Sequence, residues 1–265
     1  MTILAQWPFA VLLLALPALA PSQSSSPAPE TRGNNLHAES ERVFALANQA
    51  RAKAGVGPLQ WDASLAAAAL NHCLRMAAEG PIAHRYGGEA DLSERAAQVG
   101  AHFSVIEENV AIGPTADAIH QEWMQSPGHR QNLLSPDVDH VGIAVVAARG
   151  VLYAVADYSR AVQQLNATQV EAHVAALIRP SGVAILADPS IARAACMADK
   201  GMPRTTTGMQ PRFIMRWQDS DVSKLPPELS RQLATGSYRA ASVGSCPAQD
   251  ENGAFTSYRV TVILF

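Results

Sequence analysis

Apolar side chains recur at three- and four-residue steps over residues 39–53, at Val43, Leu46, Ala47 and Ala50. That spacing sets them along one side of an α-helix. Gly55, Gly57 and Pro58 end the pattern. A second helix follows Trp61, with Asp62 as its cap and Leu65, Ala69, Cys73 and Met76 on one face up to the stop at Gly80-Pro81. Residues 92–99 form a short helix, and residues 116–125 a further one with Thr115 as its cap. The run Ser126-Pro127-Gly128-His129 reads as another helix start, Ser as the capping residue and Pro at the first helical position, closed by Pro136. The period then changes. Residues 141–148 and 151–158 are two strands meeting at Arg149-Gly150, apolar at alternate and intervening positions alike. Such strands are covered on both faces. Helices before and beside a doubly covered sheet predict an α/β fold, a three-layer α-β-α sandwich, over residues 37–160.

Residues 161–265 are patterned differently. A helix over 166–178 precedes strand candidates at 183–186, 212–218, 238–243 and 258–265, and Leu225-Pro226-Pro227-Glu228 opens a helix running to Leu233. This describes a small α+β accessory domain, and no internal repeat is visible along the chain.

The chain opens differently again. No charged side chain occurs in residues 1–29, and the apolar run from Phe9 to Leu16 is followed by Pro17-Ala18-Leu19-Ala20. This is the apolar stretch and small-residue cleavage site of a secretory signal peptide over residues 1–20. The alternative is an uncleaved anchor, but Pro8 and Pro17 bracket a run shorter than the roughly 18–20 residues that span a bilayer. The expectation is a secreted protein, extracellular or periplasmic, with no stable membrane span after cleavage. Residues 21–36, rich in Ser, Pro, Ala and Asn, form a flexible linker.

Composition narrows the partners. At 48% hydrophobic residues the 265-residue chain can build a substantial core, and a formal charge of −3 supplies no basic face for nucleic acid. Of three cysteines, Cys196 and Cys246 lie in one region and can pair in an oxidising compartment, whereas Cys73 falls among alanines in a helical pattern and reads as a buried free thiol. No CxxC is present, which removes thiol-redox and zinc-ribbon readings.

Four stretches carry a resemblance. They are Leu46-Ala47-Asn48-Gln49-Ala50-Arg51 with Pro58-Leu59-Gln60-Trp61-Asp62; His84 after the alanine-rich helix; Glu108-Asn109-Val110-Ala111; and Trp123-Met124-Gln125-Ser126-Pro127-Gly128-His129-Arg130 with Asn132-Leu133-Leu134, then Val141-Gly142-Ile143-Ala144 and Tyr153. In this order they resemble the bacterial type of the CAP superfamily, the SCP-like fold of cysteine-rich secretory proteins, antigen 5 and pathogenesis-related proteins. The resemblance implies a groove lined by two His and two acidic residues. His84, Glu108 and His129 match three of these positions. The fourth is commonly a Glu, where this chain has Ser126; Glu122, one turn earlier, shares that helix face and is the nearest candidate. Position 107, usually Gly in the family, is Glu107.

Three chemistries fit such a constellation. Two imidazoles with a carboxylate, His84, His129 and Glu108, suit a divalent cation, zinc foremost. Exposed amides at a helix start disfavour imidazolium at His129, which keeps a ring nitrogen free for metal. Alternatively the same three side chains bond one another and hold the groove walls together. The third is a secreted hydrolase, peptidase or esterase, with a serine or a metal-bound water served by His84 and His129. No GxSxG surrounds Ser126, whose expected task is capping, and no HExxH is present. The leading expectation is a non-enzymatic protein that binds a metal ion, a small molecule, a lipid or a cell-envelope partner. Asp137, Asp139 and His140 read as a solvated turn, His72 and His102 as ordinary helix or surface residues, and Trp61, Trp123 and Phe103 as core.

Overall fold

The computed structural model describes residues 29–198, 200–203, 208–249 and 254–265. The signal-peptide segment and residues 21–28 of the linker lie outside them. Eight helices and eight strands occur among the described residues, in the order α1 (Pro29–Lys53), β1 (Gln60–Trp61), α2 (Ala63–Glu79), α3 (Leu92–Gln98), β2 (Phe103–Gly113), α4 (Ala116–Gln125), α5 (Pro127–Leu134), β3 (His140–Ala148), β4 (Val151–Ala161), α6 (Ala167–Ile178), β5 (Ala184–Ile185), α7 (Ser190–Met197), β6 (Phe213–Asp219), α8 (Pro227–Ala234), β7 (Ala240–Cys246) and β8 (Tyr258–Leu264). Helix α1 starts ten residues before the periodic stretch, at Pro29 rather than Glu39. The sequence of those first turns carries no apolar stripe to mark the helix.

The first sheet has strand order β1-β3-β4-β2, with β1 parallel to β3 and the remaining pairs antiparallel. Its two faces are covered separately. Val43 and Ala47 of α1, Ile119 and Trp123 of α4 and Leu133 of α5 pack with Val141, Ile143, Val145, Ala154, Ala156 and Tyr158 on one face. Ala69, Cys73 and Met76 of α2 pack with Val110, Ala144, Tyr153 and Val155 on the other. This is the expected three-layer sandwich.

Two sequence features fix how closely the layers approach. Asp62 caps α2 by accepting from the Leu65 amide at 2.9 Å. The start of α2 then lies on Gly142 of β3, where a Cβ would stand 2.0 Å from the Ala66 nitrogen. Arg51, buried at the end of α1, donates to the carbonyls of Gly57, Leu133, Ser135 and Val138 at 2.7–3.0 Å. It ties α1 to the end of α5 and the approach to β3 and satisfies carbonyls that would otherwise be buried without partners. Trp61 differs from its reading as core. It is 38% exposed and packs edge-on against Phe44, because the two-residue strand β1 lies at the margin of the sheet.

The second sheet has order β5-β7-β8-β6, with β5 parallel to β7 and the other neighbours antiparallel. It too has helices on both faces: α6 and α8 on one, α7 on the other. Cys196 of α7 and Cys246 of β7 form a disulfide, and Cys73 is free and buried, as the sequence suggested. Helix α7 has no counterpart among the elements read from the sequence. The two units meet where Thr256 donates its amide to the Phe103 carbonyl at 2.8 Å and Phe255 stacks edge-on upon Phe103.

Candidate functional site

Glu108 is the centre of the site. It lies on β2, opposite Asp157 of β4, and its carboxylate turns toward the loop between α2 and α3. Oε1 meets His84 Nδ1 of that loop at 2.8 Å, and Oε2 accepts from the Arg95 guanidinium of α3. Arg95 also donates to the His84 carbonyl at 3.0 Å, so one side chain fixes both the acid and the loop that carries its histidine. Asp91 caps α3 with a reciprocal Glu94 contact, which sets the helix that aims Arg95.

The wall beyond Glu108 is built by asparagines. Asn132 donates to the Glu108 carbonyl at 3.1 Å and to Asn109 Oδ1 at 3.0 Å, and Asn109 donates to the His129 carbonyl at 2.9 Å. This ladder joins α5 to β2 and brings His129 to the same groove. Ser126 precedes α5, but its hydroxyl makes no capping bond. That corrects its expected task; Pro127 at the first helical position sets the start instead.

Burial and charge then divide the groups. His84, with its ring largely exposed, is held above the ordinary imidazole range, first by its bond to Glu108. His129 lies below that range, first because it is partly desolvated and then because His84 adds positive charge nearby; Glu122 opposes the shift. The direction agrees with the sequence argument, but the cause is burial and His84 rather than helix amides. The Nδ1 atom of His129 is buried without a partner. Asp157 is fully buried beside Glu108, and burial together with the Glu108 charge pushes it far above the usual carboxylate range.

The sequence-based reading of His72 is corrected here. It is completely buried, with Nδ1 2.7 Å from Glu89 and Nε2 2.9 Å from the Ala83 carbonyl, and it stands 4.0 Å from Glu108. Together these contacts brace the loop on which His84 sits. His102, read with it, bonds Thr256 Oγ1 at 3.2 Å across the two units.

A description of cysteine-rich secretory proteins, the CAP family model, matches residues 44–158. The first unit is a CAP domain. The Bacillus subtilis protein YkwD, uncharacterized, is 30% identical over 122 residues, covering 44% of this chain and 46% of its own length. The uncharacterized membrane protein YlbC of the same organism is 30% identical over 109 residues, covering 40% of this chain and 31% of its own length. The chain thus spans less than half the length of the curated relatives it matches. Among solved structures, an extracellular SCP-domain protein from Bacillus anthracis is similar at 24% identity and a TM-score of 0.48, over 52% of this chain and 45% of that one. A cysteine-rich secretory protein from Staphylococcus aureus is similar at 20% and 0.41, over 51% and 42%.

Of the residues expected in the groove of the CAP domain, His84 and Glu108 are in contact, and His129 lies near enough for the charges of His84 and Glu122 to act on it. Arg95, Asp157 and His72 were missed. Asp157 left the clearest signal, an ionisable side chain inside a strand that is otherwise doubly covered. As a zinc centre the arrangement fits in part. His84 Nε2 and His129 remain as nitrogen donors, but both Glu108 oxygens are engaged by His84 and Arg95. Among the described residues no three His, Cys, Asp or Glu side chains converge as a ligand set. Nor does any described Ser, Thr or Cys side chain hydrogen-bond to His84 or His129.

Proposed function

We propose that this chain is an exported, non-catalytic CAP protein whose groove binds a small ligand between His84 and His129, a divalent cation being the simplest candidate. The observation that carries this is the engagement of Glu108. Its two oxygens hold His84 Nδ1 and the Arg95 guanidinium, which leaves the His84 ring oriented with Nε2 outward, and among the described residues no Ser, Thr or Cys side chain hydrogen-bonds that ring to serve as its nucleophile. His84 offers an outward ring edge and His129 an unpartnered nitrogen, two donors suited to a borderline cation. Glu122 would add charge from α4. Two imidazoles leave most of the coordination shell to water, so the affinity is modest. Export is supported by the apolar opening of the chain and by the Cys196–Cys246 bridge, the kind of bond that persists in oxidising compartments. Among the described residues no helix is long and apolar enough to cross a membrane.

Calorimetric titration of zinc into the full chain tests the reading. His84→Ala and His129→Ala should each weaken binding by about tenfold or more; heats equal to those of the parent protein would remove the cation proposal. A peptidase and esterase screen should detect no turnover, and activity that vanishes in His84→Ala would overturn the non-catalytic reading.

A second opening supports a lipid. A cleft of about 390 Å³ between α1, α4 and α5 is lined by the apolar Leu46, Ala50, Met124 and Leu134 together with Gln49, His120, Lys53 and Arg130. Apolar walls beside cationic groups suit a fatty-acid chain and its carboxylate. Displacement of a fluorescent fatty acid, lost in Met124→Trp, is the expected result.

A further inference from the structure

The order of strands in the two sheets is the same. Each reads first, third, fourth, second, with the first strand parallel to the third and the rest antiparallel. The helices agree as well: α1 and α4 cover one face of the first sheet and α2 the other, while α6 and α8 cover one face of the second and α7 the other.

The correspondence extends to single residues. A Cβ on Gly142 would strike Ala66 N and Leu65 C; a Cβ on Gly244 would strike Arg193 N and Ala192 C. Each glycine admits the start of its helix onto the third strand, Gly142 one residue and Gly244 three residues beyond the last pairing with the first strand. Gly142 is paired with Asp157 on the fourth strand and Gly244 with Thr261. Asp157 in turn faces Glu108 on the second strand, and Thr261 faces Arg216. At the other end, Gly55 lies two residues past α1 and Gly182 four residues past α6, after a 3-10 turn, with φ of 72° and 79°, and Val56 and Val183 follow them. Counted from the two glycine contacts, Ala69 on α2 corresponds to Cys196 and Ala144 on β3 to Cys246.

We infer that the C-terminal unit is a second copy of the CAP fold that has lost the groove: Arg216 and Thr261 stand where Glu108 and Asp157 build it, and the Cys196–Cys246 bridge stands where Ala69 meets Ala144. Arg216 is turned onto α7 and the segment after it, donating to the carbonyls of Ala195 and Gly201 at 2.7 Å each. In the first copy an arginine arrives from a helix to meet the strand carboxylate; here the strand itself supplies the arginine. His173 is the one histidine beyond residue 161, and it lies on α6 rather than near Arg216. The second copy therefore lacks the imidazole–carboxylate pair, and the groove ligand belongs to the first copy alone. The cystine replaces an alanine contact between helix and sheet by a covalent one. This inference rests on the CAP assignment of the first unit and not on which ligand its groove takes.

Residue-level equivalence is tested in the full chain with Cys73→Ala, Ala69→Cys and Ala144→Cys combined. Oxidised glutathione takes the two thiol hydrogens and their electrons, becoming two reduced glutathiones. A second bridge should close, read as loss of two free thiols with the native circular dichroism retained. The control pairs Ala69→Cys with Val145→Cys, whose side chain faces α1, and should stay reduced. The reverse exchange, Cys196→Ala with Cys246→Ala, should still fold, because the first copy seats alanines at the same place. Thiols that remain free at 69 and 144 in a folded chain, equal closure in the control, or an unfolded double-alanine chain would each overturn the inference. Zinc heats play no part in these readouts, so failure here and failure of the groove proposal are separate results.

Discussion

His84 and His129 share a groove but titrate in opposite directions. His84 is raised by its bond to Glu108, so that bond contributes stability fully below the unfolded imidazole value and is lost as pH rises through the folded one. His129 is lowered by burial and by His84, so its contribution is present at higher pH and is lost as pH falls through its folded value. Proton-detected NMR of the two rings should place their midpoints on either side of the ordinary imidazole value. Glu108→Gln should bring His84 down toward that value while leaving His129 low, since burial is its main cause; an unmoved His84 would refute the assigned cause. Asp157 gives a second prediction at this scale. Fully buried beside Glu108, it is held as the neutral acid, whereas the unfolded chain ionises it at neutral pH. A raised carboxyl value of this kind costs stability above the unfolded value. Asp157→Asn keeps the shape of the neutral acid, so its urea midpoint at neutral pH should be no lower than the parent's. A clear fall would show that the ionised carboxylate is the folded form.

At the scale of elements, the contact between α2 and β3 is the tightest constraint in the CAP domain. Gly142→Ala places a methyl 2.0 Å from the Ala66 nitrogen, a backbone atom that cannot turn aside. Overpacking of that kind forces helix and strand apart, and the expected cost is about 3 kcal/mol or more, measured by urea unfolding. Gly128→Ala on α5, where a Cβ meets nothing within 4 Å, is the control and should be near neutral. The elements that were legible in the sequence have caps and stripes: Asp62 before α2, Thr115 before α4, the doubly apolar runs of β3 and β4. Strand β2 was not legible, although it carries Glu108. Its Glu107-Glu108-Asn109 centre breaks the apolar run, because one side meets α5 and the other the histidine loop. Helix α7 was hidden by its brevity, and Pro189 before it reads as a loop. The site was half legible for a related reason. Motif residues gave His84, Glu108 and His129, but Arg95 belongs to a short helix whose direction only the fold supplies.

For the whole molecule, the repeat escaped notice because what the two units share is geometry more than sequence. Val43 and Val170, Gly55-Val56 and Gly182-Val183, and Val141-Gly142 and Val243-Gly244 coincide, but Arg51, buried and bonded to four carbonyls, corresponds to Ile178, an apolar residue of equal burial. Different side chains fill equivalent space, so identity decays while strand order persists. The two units also differ in how they are held. The first keeps Cys73 as a free buried thiol, and the second closes a bridge across a sequence separation of 50 residues. A loop of that length restricts the unfolded chain enough to stabilise the folded unit by about 2–4 kcal/mol. Each unit has its own apolar clusters, and the hydrogen bonds between them are few, chiefly Thr256 to Phe103 and His102 to Thr256. Reduction should therefore act locally. Calorimetry with a phosphine reductant should lower the melting of the second unit, and hydrogen exchange should accelerate in β7 and β8 first. The NMR midpoints of His84 and His129 should not move. If reduction instead shifted those two midpoints, or slackened β3 and β4 as much as β7 and β8, the groove would depend on the second unit, and the two copies would have to be treated as one cooperative body.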